Sequence, residues 1–173
     1  MYVGPQASCV GRGSSKKNLI DNAGAASMGA SAAADAVEQA TALGLIGPSA
    51  IVYDMEAYRT GDAACRAGVL DFVGGWTARL HDLGYLSGFY SSMTSGGADQ
   101  VAHYAEPGYA RPDYVDFARW DKRATLTDAA IPDAYWAPHR RMKQYAGGHR
   151  ETYGGVTIKI DSNFVDFAPP ARP

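Results

Sequence analysis

The residues best suited to chemistry lie in one segment, Ile51–Tyr58, which reads Ile-Val-Tyr-Asp-Met-Glu-Ala-Tyr. Side chains alternate between the two faces of a β-strand, so Asp54, Glu56 and Tyr58 are expected to share one face. Two close carboxyl groups are what glycoside hydrolysis uses, because the charge of one raises the pKa of the other and keeps it protonated as a general acid. The same pair could instead be structural, held by arginine or by backbone amides.

A second polar strand end carries Asp161 and Asn163, again two residues apart and therefore on one face. These two residues could complete the same site, or they could form a turn, which Asp and Asn favour. Aromatic side chains also stand near predicted strand ends, at Tyr90, Trp120 and Tyr145. They could stack on sugar rings, or they could serve core and rim packing.

Other chemistries have weaker support. The chain has 16 Lys plus Arg against 18 Asp plus Glu, a net charge of −2, and lacks the basic face that a nucleic-acid partner requires. It contains no complete dinucleotide, Walker or Gly-x-Ser-x-Gly motif, and its four histidines lack metal-ligand spacing. Asp54, Glu56 and Asp161 could hold a hard cation such as Mg²⁺, but we expect neither a metal nor a cofactor.

The elements that must position these groups alternate along the chain. Hydrophobic periodicity and turn residues predict strands at 2–6, 50–55, 86–92, 114–120, 141–145 and 156–165, and helices at 25–43, 65–83 and 95–105. Such alternation predicts βα units and a parallel sheet. The length of 173 residues favours an open doubly wound sheet, whereas the paired carboxylates favour a barrel, in which they would point to the interior. We expect one domain over 1–168 and an irregular proline-rich tail over 169–173.

The two cysteines bear on the compartment. Cys9 follows the first predicted strand and Cys65 the second, so parallel neighbouring strands would bring both thiols to one rim. A disulfide there would indicate an oxidising compartment, and the alternative is a pair of buried thiols. No apolar run approaches the roughly 20 residues of a membrane span, and residues Met1–Pro5 do not resemble a signal peptide.

Five blocks of sequence carry a resemblance to a known family: Tyr2–Cys9, Ile51–Tyr58, Gly84–Ser92, Gln144–Tyr145 and Ile160–Asn163. Together they resemble the glycoside-hydrolase-like domain of secreted actinobacterial proteins, a family of unknown function related to the family-25 lysozymes. The resemblance implies a (β/α)8 TIM barrel acting on peptidoglycan-like polysaccharide, in a secreted or cell-wall-associated protein. Family members begin with two further βα units, so the expected fold is such a barrel lacking its first two units.

The resemblance also implies roles. Glu56 matches the general acid, Asp54 its partner carboxylate on the same strand, and Asp161 the acidic residue of the last strand. The expected substrate contacts are Gln6, Tyr58, Tyr90, Trp120, Gln144 and Asn163. The competing hypothesis is a non-catalytic module that binds carbohydrate or cell wall and retains the pocket.

Overall fold

A computed structural model describes residues 1–11 and 18–168. The predicted tail, 169–173, lies outside the described residues. The strands are β1 (Ala50–Asp54), β2 (Leu86–Ser92), β3 (Tyr114–Ala118), β4 (Arg140–Tyr153) and β5 (Val156–Phe167). The helices are α1 (Ala25–Ala42), α2 (Ala63–Asp82) and α3 (Gly96–Ala102), with a short 3-10 turn at Asn22–Gly24.

The strands form a single mixed sheet in the order β1-β2-β3-β4-β5. β1 to β4 are parallel, and β5 runs antiparallel to β4. The prediction of a (β/α)8 barrel lacking two units is therefore wrong. Gly154 and Gly155, both with positive φ, turn β4 directly back into β5 as a hairpin, so no crossover helix continues the parallel wall.

The first predicted strand, residues 2–6, forms only isolated bridges. Tyr2 forms an isolated bridge with Tyr53, and Gln6 forms one with Leu19. Pro5 has no N–H to donate to a ladder, which limits pairing in this segment. The chain here lies along the edge of β1 without becoming a full strand of the sheet.

The helices pack on one face of the sheet. Tyr53 of β1 lies edge-on against Phe72 and Trp76 of α2, with ring centroids 4.9 and 5.0 Å apart. Gly29 of α1 and Gly75 of α2 permit close packing of these helices, because a Cβ at either position would overlap the backbone of the other helix. Because strand side chains alternate, Asp54 points to the opposite face, which carries no helix in the described part of the chain. We call it the open face.

The start of α2 is fixed in two ways. The Asp62 carboxylate accepts a hydrogen bond from the Cys65 N–H and caps the helix. Cys65 is bonded to Cys9 in a disulfide, which confirms the predicted pairing. Both cysteines are buried. Within residues 1–11 and 18–168, no helix combines the length and apolarity needed to cross a bilayer.

Candidate active site

The sheet register places polar side chains in a row across the open face. Asp54 of β1 pairs with Tyr90 of β2, and Tyr90 pairs with Asp116 of β3. Partners in adjacent parallel strands point to the same face. Gln144 of β4 lies opposite Ala118, two residues beyond Asp116, and therefore extends the polar set on this face. Four successive strands thus contribute to one surface.

The deepest acidic group of this row is Asp116, which is only 2% exposed. Its Oδ1 is buried and has no hydrogen-bond partner. Burial, and to a smaller extent the nearby charge of Asp54, raise the pKa of Asp116 to about 7. Asp116 was not predicted from the sequence, although an Asp within the otherwise apolar strand Tyr114–Ala118 is a signal that could have identified it.

Asp54 occupies a similar environment on the other side of Tyr90. Its Oδ1 is also buried without a partner, and the residue as a whole is half-buried. Burial raises its pKa, and the nearby charge of Glu56 raises it further. Asp54 and Asp116 therefore both favour the protonated form more than a solvated carboxyl does.

Tyr90 lies at the centre of the acidic groups. Burial raises the pKa of its hydroxyl to about 12, and nearby negative charges contribute to this increase. The carboxyl groups responsible are those of Asp54, Asp116, Glu56 and Asp161. The Tyr90 hydroxyl donates a hydrogen bond to Gln144 Oε1 at 3.1 Å. The three predicted catalytic carboxyls are thus close enough to one hydroxyl to influence its pKa.

Gln144 connects the predicted substrate contacts. Its Oε1 accepts from the Tyr90 hydroxyl and from Trp120 Nε1, the latter at 2.7 Å. Its Nε2 donates to Asp161 Oδ2 at 3.3 Å, while Asp161 Oδ1 accepts from the Gly148 N–H. Because both ends of the amide are bonded, Gln144 has one defined orientation. It holds an aromatic ring and an acidic group in fixed positions.

Trp120 presents an exposed ring to solvent, with 64% of its surface accessible. The Nε1 hydrogen bond to Gln144 fixes one edge of the indole. The ring also covers Gly147, where an added Cβ would overlap the indole atoms. An exposed aromatic surface of this kind, fixed in orientation, suits stacking against a sugar ring.

We expect Gly147→Ala to displace the Trp120 ring and to lower the free energy of unfolding by about 1–3 kcal/mol through overpacking. Gly61→Ala is a matched control, because a Cβ there meets nothing within 4 Å. Denaturant unfolding and tryptophan fluorescence would detect the two effects. If the two variants had equal stability and the same emission, the packing described here would be wrong.

Gln6 is 7% exposed and contacts the segment Asp54–Glu56, which we call the acidic turn. Its Nε2 donates to the Asp54 carbonyl at 2.9 Å, and its Oε1 accepts from the Glu56 N–H at 2.8 Å. One side-chain amide thus binds the backbone on both sides of Met55. This arrangement fixes the position from which the Glu56 side chain projects.

The remaining two predicted contacts differ in their position relative to the Gln144 cluster, which comprises Gln144, Tyr90, Trp120 and Asp161. Tyr58 is buried and donates its hydroxyl to Asp99 Oδ2 at 2.7 Å, and Asp99 is paired with Arg66. β1 ends at Asp54, so the strand alternation that placed Tyr58 beside the carboxylates does not extend to it. Asn163 is exposed on β5, at the register position opposite Gln144.

A cleft of about 350 Å³ opens beside this cluster and is lined by both Glu56 and Trp120. Tyr90 also lines it, and Glu56 is exposed to solvent. Arg119, the basic side chain of the lining, is paired with Asp128. In the described ranges, no three or more His, Cys, Asp or Glu side chains are grouped to hold a metal ion. The cleft therefore combines an accessible carboxyl group with an aromatic platform.

Comparisons with known proteins complete this description. No curated protein matches the chain significantly. An uncharacterized B. stearothermophilus protein of known crystal structure aligns with a TM-score of 0.49 and 19% identity, over 80% of this chain. The chain spans 62% of that protein's length. A family model, described as Rv2525c-like, glycoside hydrolase-like domain, matches residues 1–165, in agreement with the resemblance seen in the sequence motifs. The chain therefore belongs to the Rv2525c-like, glycoside hydrolase-like domain family.

Proposed function

We propose that the open face binds a peptidoglycan-like polysaccharide of amino sugars and that the cleft hydrolyses one of its glycosidic bonds. The observation that carries the proposal is that Glu56 and Trp120 line the same cleft. A glycosidase needs an acid within reach of the glycosidic oxygen and a surface that orients the sugar. This cleft offers both, and further carboxyl groups surround Tyr90 beside it.

In this proposal Glu56 is the general acid. Its proton passes to the glycosidic oxygen as the bond from that oxygen to the anomeric carbon breaks. Water then adds to the anomeric carbon and gives up one proton, which restores the Glu56 carboxyl group. Positive charge develops on the sugar ring during bond breaking. Asp54 and Asp161 would stabilise that charge, since both lie close enough to Tyr90 to raise its pKa. Gln6 would keep Glu56 in place through the backbone of the turn.

The same geometry supports the proposed substrate contacts. Trp120 would stack on one sugar ring. The hydrogen-bonding capacity that remains on Gln144 and on the Tyr90 hydroxyl would orient that ring. Asn163 would contact the glycan further along the sheet, next to Gln144 in the register. Tyr58 would act indirectly, through the buried Asp99 that it contacts.

A second candidate function is binding without cleavage. The exposure of Glu56 to solvent favours it, because catalytic groups act best in a site from which water is excluded. Trp120 and Gln144 would bind a glycan equally well without turnover. The two functions share one surface and differ only in the chemistry at Glu56.

We also propose an extracellular or cell-wall location. The buried Cys9–Cys65 disulfide supports it, because such bonds persist in oxidising compartments. A polysaccharide of the cell wall would be available as a substrate there.

Incubation with purified peptidoglycan tests the proposed function. We expect the protein to cosediment with the polymer and to release new reducing ends over time. Cosedimentation without reducing ends would favour the binding module. If the protein neither cosedimented nor released reducing ends, the glycan assignment itself would be refuted.

A further inference from the structure

We propose that the arm formed by β4 and β5 beyond the rest of the sheet binds carboxylate groups of the glycan, so that the protein prefers carboxylated to neutral polysaccharide. This inference rests on the proposed function and specifies the chemistry of its substrate. It arises from two basic side chains of the arm, Arg150 and Lys159, which lie opposite each other on the two strands.

The arm comprises residues 146–162. β3 pairs with β4 only as far as Gln144, so residues 146–153 pair with β5 alone. They form a two-stranded ribbon, and most of its residues are exposed. An isolated ribbon of this kind is only marginally stable in water. Its length therefore suits contact with a ligand better than closure of the core.

One face of the arm continues the open face of the sheet. Asp161, whose carboxylate accepts from Gln144 Nε2, points to the open face. The extra residues at both register shifts lie on β4, so side chains alternate regularly along β5. Lys159 therefore shares the face of Asp161. Arg150 is the register partner of Lys159 on β4 and points to the same side.

The two basic side chains carry like charges at directly opposed positions, an arrangement that destabilises a sheet. Arg150 and Lys159 are both exposed, and no Asp or Glu in the described part of the chain forms an ion pair with either. Glu151 points to the other face, where it is bonded to His149 and Tyr153. An anionic group bound between the two cations would relieve their repulsion.

A carboxylate suits this pair of cations. The Arg150 guanidinium offers a planar fork of N–H donors that matches the two oxygens of a carboxylate, and the Lys159 ammonium offers three further donors. Thr152 and Thr157, whose hydroxyls are bonded to each other, extend the same face toward the hairpin turn. Their hydroxyls can bond to hydroxyls of the sugar that carries the carboxylate.

The basic pair lies next to the proposed cleavage site. Alternate residues of a strand are about 7 Å apart, so Lys159 lies about that far beyond Asp161 along β5. The Lys159 side chain passes close to Gly148, whose N–H donates to Asp161 Oδ1. Both oxygens of Asp161 already accept hydrogen bonds. A glycan that stacks on Trp120 and continues along the open face would bring its next substituents to the basic pair.

The test is calorimetric titration with two tetramers of alternating N-acetylglucosamine and N-acetylmuramic acid. They differ only in their carboxyl groups, which are free in one tetramer and converted to carboxamides in the other. The Glu56→Gln protein is used so that neither tetramer is cleaved. We expect the free-acid tetramer to bind at least about tenfold more tightly, corresponding to about 1.4 kcal/mol. Added salt should reduce this preference, because it screens charge attraction.

Variants in the same background separate charge recognition from a structural role. Arg150→Gln and Lys159→Gln should each reduce the preference for the free acid and leave the binding of the carboxamide tetramer unchanged. Arg79→Gln, the same charge change on α2, should leave the preference intact. Neither arm variant should lower the free energy of unfolding, because each relieves the repulsion of a like-charged pair.

The outcomes distinguish this inference from the proposed function. Equal binding of the two tetramers, or an undiminished preference in both arm variants, would overturn the inference and leave the glycan site in place. If neither tetramer bound, the glycan site would be refuted together with the inference that rests on it.

Discussion

Replacing Asp116 by Asn should abolish a large part of the dependence of folding stability on pH. The folded-state pKa of Asp116 is raised to about 7 from its usual 3.8. An acid whose pKa is raised by folding stabilises the protein fully below the unfolded-state pKa, and this contribution is lost as pH rises through the folded-state pKa. The wild-type protein should therefore lose on the order of 4 kcal/mol between about pH 4 and pH 7 from this group alone.

Urea unfolding at several pH values would measure this effect. In Asp116→Asn the side chain is neutral throughout, so its stability relative to the wild type should rise with pH across that window and level off above it. Asp71→Asn, an exposed carboxyl group on α2, serves as the control and should follow the wild-type curve. Parallel curves for the wild type and Asp116→Asn would show that Asp116 does not retain its proton on folding.

Removing the disulfide should be comparably destabilising. Cys9 and Cys65 are 56 residues apart in the sequence, so their bond restricts a long loop in the unfolded chain. The loss of that restriction in the double variant Cys9→Ala, Cys65→Ala should lower the free energy of unfolding by about 4 kcal/mol. The bond also anchors the segment after Gln6 to the start of α2, and Gln6 holds the acidic turn.

Denaturant unfolding of the oxidised protein, the reduced protein and the double variant would test this expectation. The reduced protein and the double variant should agree, because both lack the covalent link. Circular dichroism at low denaturant should confirm that all three forms start folded. A loss smaller than about 1 kcal/mol would mean that the bond adds little to the stability of the fold.

The local elements of the fold were largely predictable. The helices predicted at 25–43 and 65–83 correspond to α1 and α2, and the strands at 50–55 and 86–92 correspond to β1 and β2. Their apolar periodicity and caps are local signals that survive in the folded protein. The topology of the sheet was not predictable in the same way. It depends on the hairpin turn at Gly154–Gly155, which the expectation of a barrel did not take into account.

The candidate site was likewise only partly predictable from the sequence. Glu56, Tyr90 and Trp120 were identified from residue type and position near strand ends, and Gln144 from the family resemblance. The sheet brings them to one cleft or cluster. Tyr58 was placed with them by extending strand alternation beyond Asp54, where β1 ends. Asp116 was missed because its significance depends on register with Tyr90 and Asp54, a long-range property that spacing along the chain does not contain.

The central claim is that Glu56 donates a proton to a glycosidic bond, and its most direct test is reducing-end release by the wild type and by Glu56→Gln on purified peptidoglycan. We expect the variant to lose activity by about 10²- to 10⁴-fold, the range for removal of a general acid, while it cosediments with the polymer as the wild type does. Undiminished hydrolysis by Glu56→Gln would contradict the role assigned to this residue.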